Sequence, residues 1–210
     1  MKKSSILLIA LFVSLNIFAN NVIQEAVIKF DAAEEIKEYY DVLNSFERII
    51  LQGDCGWIPY YYSSLCLINI ARQSDLDKVD GFCDKADTYL EEANRLEPDN
   101  AEIYCLKALS ASTRISVNFE ERGFRYVTLS NSLLEKAKSL NDSTPRYFYL
   151  KGMNTINLPT MMGGGPEAAL PLFEKALTLF NEQLELDETV FPHWGRSSCE
   201  SIVHSMKNNN

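Results

Sequence analysis

Few residues in this chain combine a chemistry-capable type with a useful spacing. The only histidines are His193 and His204, with Cys199 between them. Cys199 and His204 are five residues apart, so on one helix they point to different faces and do not form a nucleophile and base pair. The Gly163-Gly164-Gly165 run ahead of a helix offers backbone N–H groups to an anion. It lacks the Gly-Lys-Ser/Thr of a phosphate loop, Pro166 removes a donor, and Glu167 already occupies the positive end of the helix. We read it as a turn that folds a long loop over the end of the molecule, with Met161 and Met162 as hydrophobic tethers. Trp57, Tyr60, Tyr61 and Tyr62 have the composition of an aromatic cage, but at helical spacing tyrosines read first as core with a polar tip. Cys55, Cys66, Cys83, Cys105 and Cys199 contain no Cys-x-x-Cys pair, so neither a redox dithiol nor a zinc knuckle is signalled. They read as small buried residues, with one intramolecular bridge as the competing arrangement. The chain is expected to have no catalytic residues, no metal and no cofactor, and to be no enzyme.

The frame that must position any binding residues begins with an export segment. Lys2 and Lys3 precede thirteen mostly apolar residues, Ile6 to Phe18, and the small residue Ala19. This is the pattern of a signal peptide over residues 1–19, too short for a membrane anchor and with no cysteine at the cut for a lipid. The expected product is periplasmic or secreted, carries no integral membrane segment after cleavage, and is not a lipoprotein. The 210 residues are 46% hydrophobic and 23% charged, enough for a sizeable core in residues 20–210. Removing residues 1–19 leaves 18 basic residues against 29 acidic, net −11. Without a clustered cationic face the chain is not expected to bind nucleic acid.

Self-similarity organises the rest. Ala86/Leu90/Ala93, Ser130/Leu134/Ala137 and Ala169/Phe173/Ala176 place small, large and small residues at i, i+4 and i+7. On a helix these share one face and let a neighbouring helix approach closely. Bulky aromatics Trp57, Tyr104, Phe148 and Trp194 recur every 44 to 47 residues and are read as opening the partner helices. Asn100 before Ala101, Thr144 before Pro145 and Gly165 before Pro166 punctuate the helix starts. Asp31-Ala-Ala-Glu34 is a candidate capping box for an N-terminal helix running to Gln52. The expected class is all-α, with about eight helices: an N-terminal helix, three pairs over 54–98, 101–141 and 145–184, and a capping helix over 192–206.

These residues resemble the tetratricopeptide-repeat family. Ala86-x3-Leu90-x2-Ala93 followed by Pro98 matches its second helix and helix-ending proline. Ala101 to Ala108 and Pro145 to Gly152 match its first helix, and Pro166 to Leu177 is the fullest match. The units are longer than that family's roughly 34 residues, and HEAT-type repeats of about 40–47 stay the alternative at the level of fold. We place the extra length between the helices of each pair, around Arg72–Gly81, Val117–Gly123 and Leu158–Gly165. Pro171 should bend the third second-helix. Trp57-Ile-Pro-Tyr-Tyr-Tyr62, the triple glycine and Phe191-Pro-His-Trp194-Gly195 also make the chain similar to a set of exported bacterial tetratricopeptide proteins.

That resemblance implies recognition along a concave face lined by the first helices. It places there Tyr62, Leu65 and Cys66, then Glu102, Cys105, Leu109 and Thr113, then Arg146, Tyr149, Met153 and Asn157. The same residues can equally pack against the N-terminal helix. The expected function is a scaffold that binds a protein or peptide partner in the cell envelope. The alternative is a small-molecule or lipid-binding component of an envelope transport system, closing over a small apolar ligand. The sequence carries no signal for oligomeric state.

Overall fold

The computed structural model describes residues 21–184 and 190–208, with the side chain of Leu184 outside that description. The expected signal peptide over 1–19 lies outside the described residues. Among the described residues there are nine α-helices and no strand, one helix more than expected. They are α1 (21–31), α2 (Ile36–Gln52), α3 (Ile58–Gln73), α4 (Leu76–Leu96), α5 (Ala101–Thr113), α6 (Phe119–Leu140), α7 (Pro145–Ile156), α8 (Pro166–Leu184) and α9 (Arg196–Asn208). No helix among them is long and apolar enough to cross a membrane.

The chain forms a helical-hairpin solenoid of tetratricopeptide-like repeats. α3 packs on α4, α5 on α6 and α7 on α8, while α2 covers α3 at one end and α9 covers α8 at the other. All nine small, large and small positions are buried: Ala86, Leu90 and Ala93 on α4, Ser130, Leu134 and Ala137 on α6, and Ala169, Phe173 and Ala176 on α8. Each large side chain is thus removed from water where its small neighbours let the partner helix close in, which combines hydrophobic transfer with dense packing. Gly152 shows how close α7 and α8 run. A Cβ added there would lie 2.8–3.0 Å from three carbons of the Phe173 ring.

The helix ends follow local chemistry. The Asn100 side chain accepts from the Glu102 N–H, and the Asn118 side chain from the Glu121 N–H, which satisfies donors that the first turns of α5 and α6 leave unpaired. Pro145 and Pro166 open α7 and α8, where a missing N–H costs nothing. α4 ends at Leu96, and Pro98 lies in the turn beyond it.

Several expectations need correction. The capping box is not Asp31 to Glu34. Glu38 accepts from the N–H groups of Glu34 and Glu35, so α2 starts later, while Asp31 belongs to the end of the unexpected α1. In the first two pairs the extra length is mostly helix, since α4 and α6 already begin at Leu76 and Phe119. Only the Leu158–Gly165 stretch is a true loop, with a short 3-10 turn at Thr160–Met162. There a Cβ on Gly164 would collide with the Leu158 backbone, which explains a glycine at that point. Met161 and Met162 are exposed, where the sequence suggested hydrophobic tethers. Pro171, where a bend is expected, lies inside α8. The capping helix starts at Arg196, so Trp194 lies ahead of it, while Trp57 caps α3 and Tyr104 and Phe148 sit inside α5 and α7.

Candidate functional site

Most of the residues expected on the inner face of α3, α5 and α7 are packed under the protein's own side chains. Tyr62, Leu65, Cys66, Cys105, Leu109, Thr113, Arg146 and Tyr149 are buried, Glu102 and Met153 are largely so, and Asn157 is exposed at the end of α7. α1 contributes Phe30, whose ring meets Tyr62 edge-on, and α2 contributes Phe46, stacked on Tyr62 with ring centres 5.4 Å apart. Tyr61 and Tyr62 are core, and Trp57 and Tyr60 are half-buried.

At the centre lies Arg146, whose side chain has no exposure at all. Its Nη1 donates to Glu102 Oε1 at 3.0 Å and to Gln183 Oε1 at 3.3 Å. Its Nε and Nη2, and the Glu102 Oε2, have no partner among the described residues. The guanidinium lies 5.4 Å from the Phe180 ring centre and 5.3 Å from that of Trp194. Burial pushes the Glu102 carboxyl up from its ordinary range, opposed by the neighbouring Arg146 charge.

Trp194 belongs to a non-helical strap, residues 190–195, that crosses this centre just before α9. Its indole N–H donates to the Tyr61 hydroxyl at 2.7 Å, and its ring meets Tyr149 edge-on. Tyr62 donates to the Phe191 carbonyl at 3.1 Å. His193 uses both ring nitrogens: Nε2 faces the Asp31 carboxylate at 2.8 and 2.9 Å, and Nδ1 faces the Phe191 carbonyl at 2.8 Å. The strap therefore ties the C-terminal end of the solenoid to α1 and α3.

A second feature is an open groove of about 490 Å³ between α2 and α4. Leu43 and Leu67 line it, and Asn44, Lys85 and Thr88 are among its polar contributors. Tyr40 meets Phe82 edge-on across it, and Tyr89 donates to Glu47 at 2.7 Å, so aromatic side chains bridge the two helices. The volume lies within the roughly 300–1,000 Å³ of small-ligand sites. Its residues escaped the sequence reading, although Tyr40, Leu43, Asn44 and Glu47 follow the i, i+3, i+4, i+7 pattern of one helix face.

The remaining candidates show no assembled chemistry. Cys199 is buried, donates to the Phe173 carbonyl, and has its thiol pushed up to about 11 by burial. His204 contacts Asn208 on its own helix. All five cysteines are free thiols, and among the described residues no cluster of His, Cys, Asp and Glu is arranged to hold a metal.

Among solved structures, the chain is similar to the HusA haemophore from Porphyromonas gingivalis. The two share 28% identity with a TM-score of 0.82, over 91% of this chain and 94% of that one. A thermophilic tetratricopeptide-repeat protein from Thermus thermophilus aligns at 16% identity and a TM-score of 0.45, over 89% of this chain and 99% of that one. No family model matches the chain, and no curated protein sequence matches it.

Proposed function

We propose that this chain is an exported, non-catalytic helical-repeat protein that binds haem or a related tetrapyrrole. The observation that carries the reading is the likeness to a haemophore at 28% identity over nearly the full length of both chains. The export pattern of Lys2-Lys3, the apolar stretch to Phe18 and Ala19 fits a carrier that works outside the cytoplasm. Phe180, Trp194 and Tyr149 surround the Arg146 cation with aromatic rings, the company that a flat apolar ligand would keep once the strap carrying Trp194 gives way.

The test is a titration of the purified protein with haemin, followed by the Soret absorbance. A saturable change at one ligand per chain is expected. A spectrum that tracks free haemin throughout would overturn the reading.

A further inference from the structure

A charged side chain with unmet donors in a protein interior calls for an explanation, because each buried N–H without an acceptor costs stability. Arg146 presents the strongest case in this molecule. The two groups without a partner among the described residues, Nε and Nη2, are adjacent and form one edge of the planar guanidinium. That edge is the fork that takes both oxygens of a carboxylate in parallel hydrogen bonds. Glu102 and Gln183 both address the remaining nitrogen, Nη1, and leave the fork alone.

Two flat aromatic rings lie against this cation, Phe180 from α8 and Trp194 from the strap. Trp194 sits against the guanidinium, meets Tyr149 edge-on, and closes its one polar atom on Tyr61. A ring held between aromatic neighbours beside an unused carboxylate fork imitates a ligand that has a flat body and an acidic arm. The strap is anchored by few polar contacts: Tyr62 to Phe191, His193 to Asp31 and Trp194 to Tyr61. Two of its residues, Phe191 and His193, face solvent.

We propose that the Arg146 fork receives a carboxylate of a flat aromatic ligand, and that Trp194 holds the place of the ligand's ring until it is displaced. This rests on the tetrapyrrole reading, in which the acidic arm is a propionate. The incoming carboxylate meets the fork and leaves Nη1 to Glu102. Glu102, with Oε2 also unpartnered, is the neighbouring group able to take up a proton and offset the added charge.

The experiment compares protoporphyrin IX with its dimethyl ester, which keeps the ring and removes the carboxylates. Binding to the full chain is followed by porphyrin absorbance. The diacid is expected to bind at least about tenfold more tightly than the ester, since bonds to a charged partner are at stake. Arg146→Lys keeps the charge but not the fork and should shrink that preference, with helical circular dichroism checking that it folds. Trp194→Ala removes the stand-in and should tighten binding of the diacid several-fold. Equal binding of diacid and ester would overturn the assignment while leaving the tetrapyrrole reading intact, whereas no binding of either overturns both. A preference that survives Arg146→Lys but falls in Lys85→Gln would move the carboxylate to the α2–α4 groove. Unchanged diacid affinity in Trp194→Ala would refute the stand-in.

Discussion

Two arginines are buried in this solenoid, and they are treated in opposite ways. Arg114, just after α5, donates from Nη1 to Asp84 at 2.8 Å and from Nη2 to Asp87 at 2.6 Å, with Asp80 also within reach. Asp87 accepts in addition from Ser110, and Asp80 takes two bonds from Arg122 on α6. Those carboxylates keep substantial access to water, so the cation is neutralised without stranding its partners. Arg146, on the next first helix, has one nearly buried carboxylate and an unpartnered fork. The Arg114 cluster is complete and ties α4, the turn after α5 and α6 together. The Arg146 cluster leaves unpaired the one guanidinium edge that a second carboxylate would fit, and the difference separates a structural cation from a receptive one.

The largest effect should come from deleting the receptive cation. Arg146→Met leaves Glu102 as a buried carboxylate without its counter-charge, and breaking such a pair costs about 3–5 kcal/mol. Urea denaturation measures this, and the double variant Arg146→Met/Glu102→Leu should recover most of the loss, because an apolar pair of similar volume carries no desolvation penalty. Arg114→Met should cost less, about 1–3 kcal/mol, since Asp84 and Asp87 can return to water. If the two single variants were equally destabilised, the contrast between the clusters would collapse.

A third variant asks whether the packing around the receptive centre is as tight as its polar chemistry is loose. Gly152→Ala drives a methyl into the Phe173 ring, which is buried against Tyr149, itself in contact with Trp194. Overpacking of this kind costs about 1–3 kcal/mol. The fluorescence of Trp194, isolated by Trp57→Phe, should shift in this variant, whereas Arg114→Met should leave it in place. A shift in both or in neither would mean the two regions are not mechanically distinct.

Much of the scaffold was legible because it rests on repetition. Small residues flanking Leu90, Leu134 and Phe173 can serve only a close helix crossing, and the structure buries every one of them. The site was less legible. Tyr62, Leu65, Leu109, Arg146 and Tyr149 are buried and Glu102 nearly so, and whether such positions face a groove depends on what returns to them from elsewhere in the chain. Nothing local to Trp194 shows that it leaves the helical series to meet a tyrosine 133 residues earlier. α1 lay in the stretch between the expected cleavage site and Asp31, where buried Ile23, Ala26, Val27 and Phe30 mark one helix face. Reading the helix start at Asp31 absorbed its last residue into a cap. The pairing of Asp31 with His193 joins opposite ends of the sequence, and no periodicity encodes it.

That pairing yields the smallest effect and the one most specific to the strap. Both ring nitrogens of His193 face acceptors, the Asp31 carboxylate and the Phe191 carbonyl, so only the doubly protonated imidazolium can donate to both. The Asp31 hydrogen bond accordingly holds the His193 pKa above its ordinary value of 6.5, against burial and the positive charge of Arg146. A group whose pKa is raised in the folded state contributes stability that is fully present below the unfolded pKa. That contribution is lost as pH rises through the folded pKa, and here it should decline from just above pH 6.5 upward. Both partners are partly exposed, so the amount is under about 1 kcal/mol. Emission of Trp194 in the Trp57→Phe background should therefore change on raising the pH from about 6 to about 9, as the strap loosens over Arg146. His193→Gln should flatten that response. Arg114→Met, whose partners Asp80, Asp84 and Asp87 lie away from the strap, should leave it unaltered. A response that persisted in His193→Gln would show that a group other than His193 carries the pH dependence of the strap.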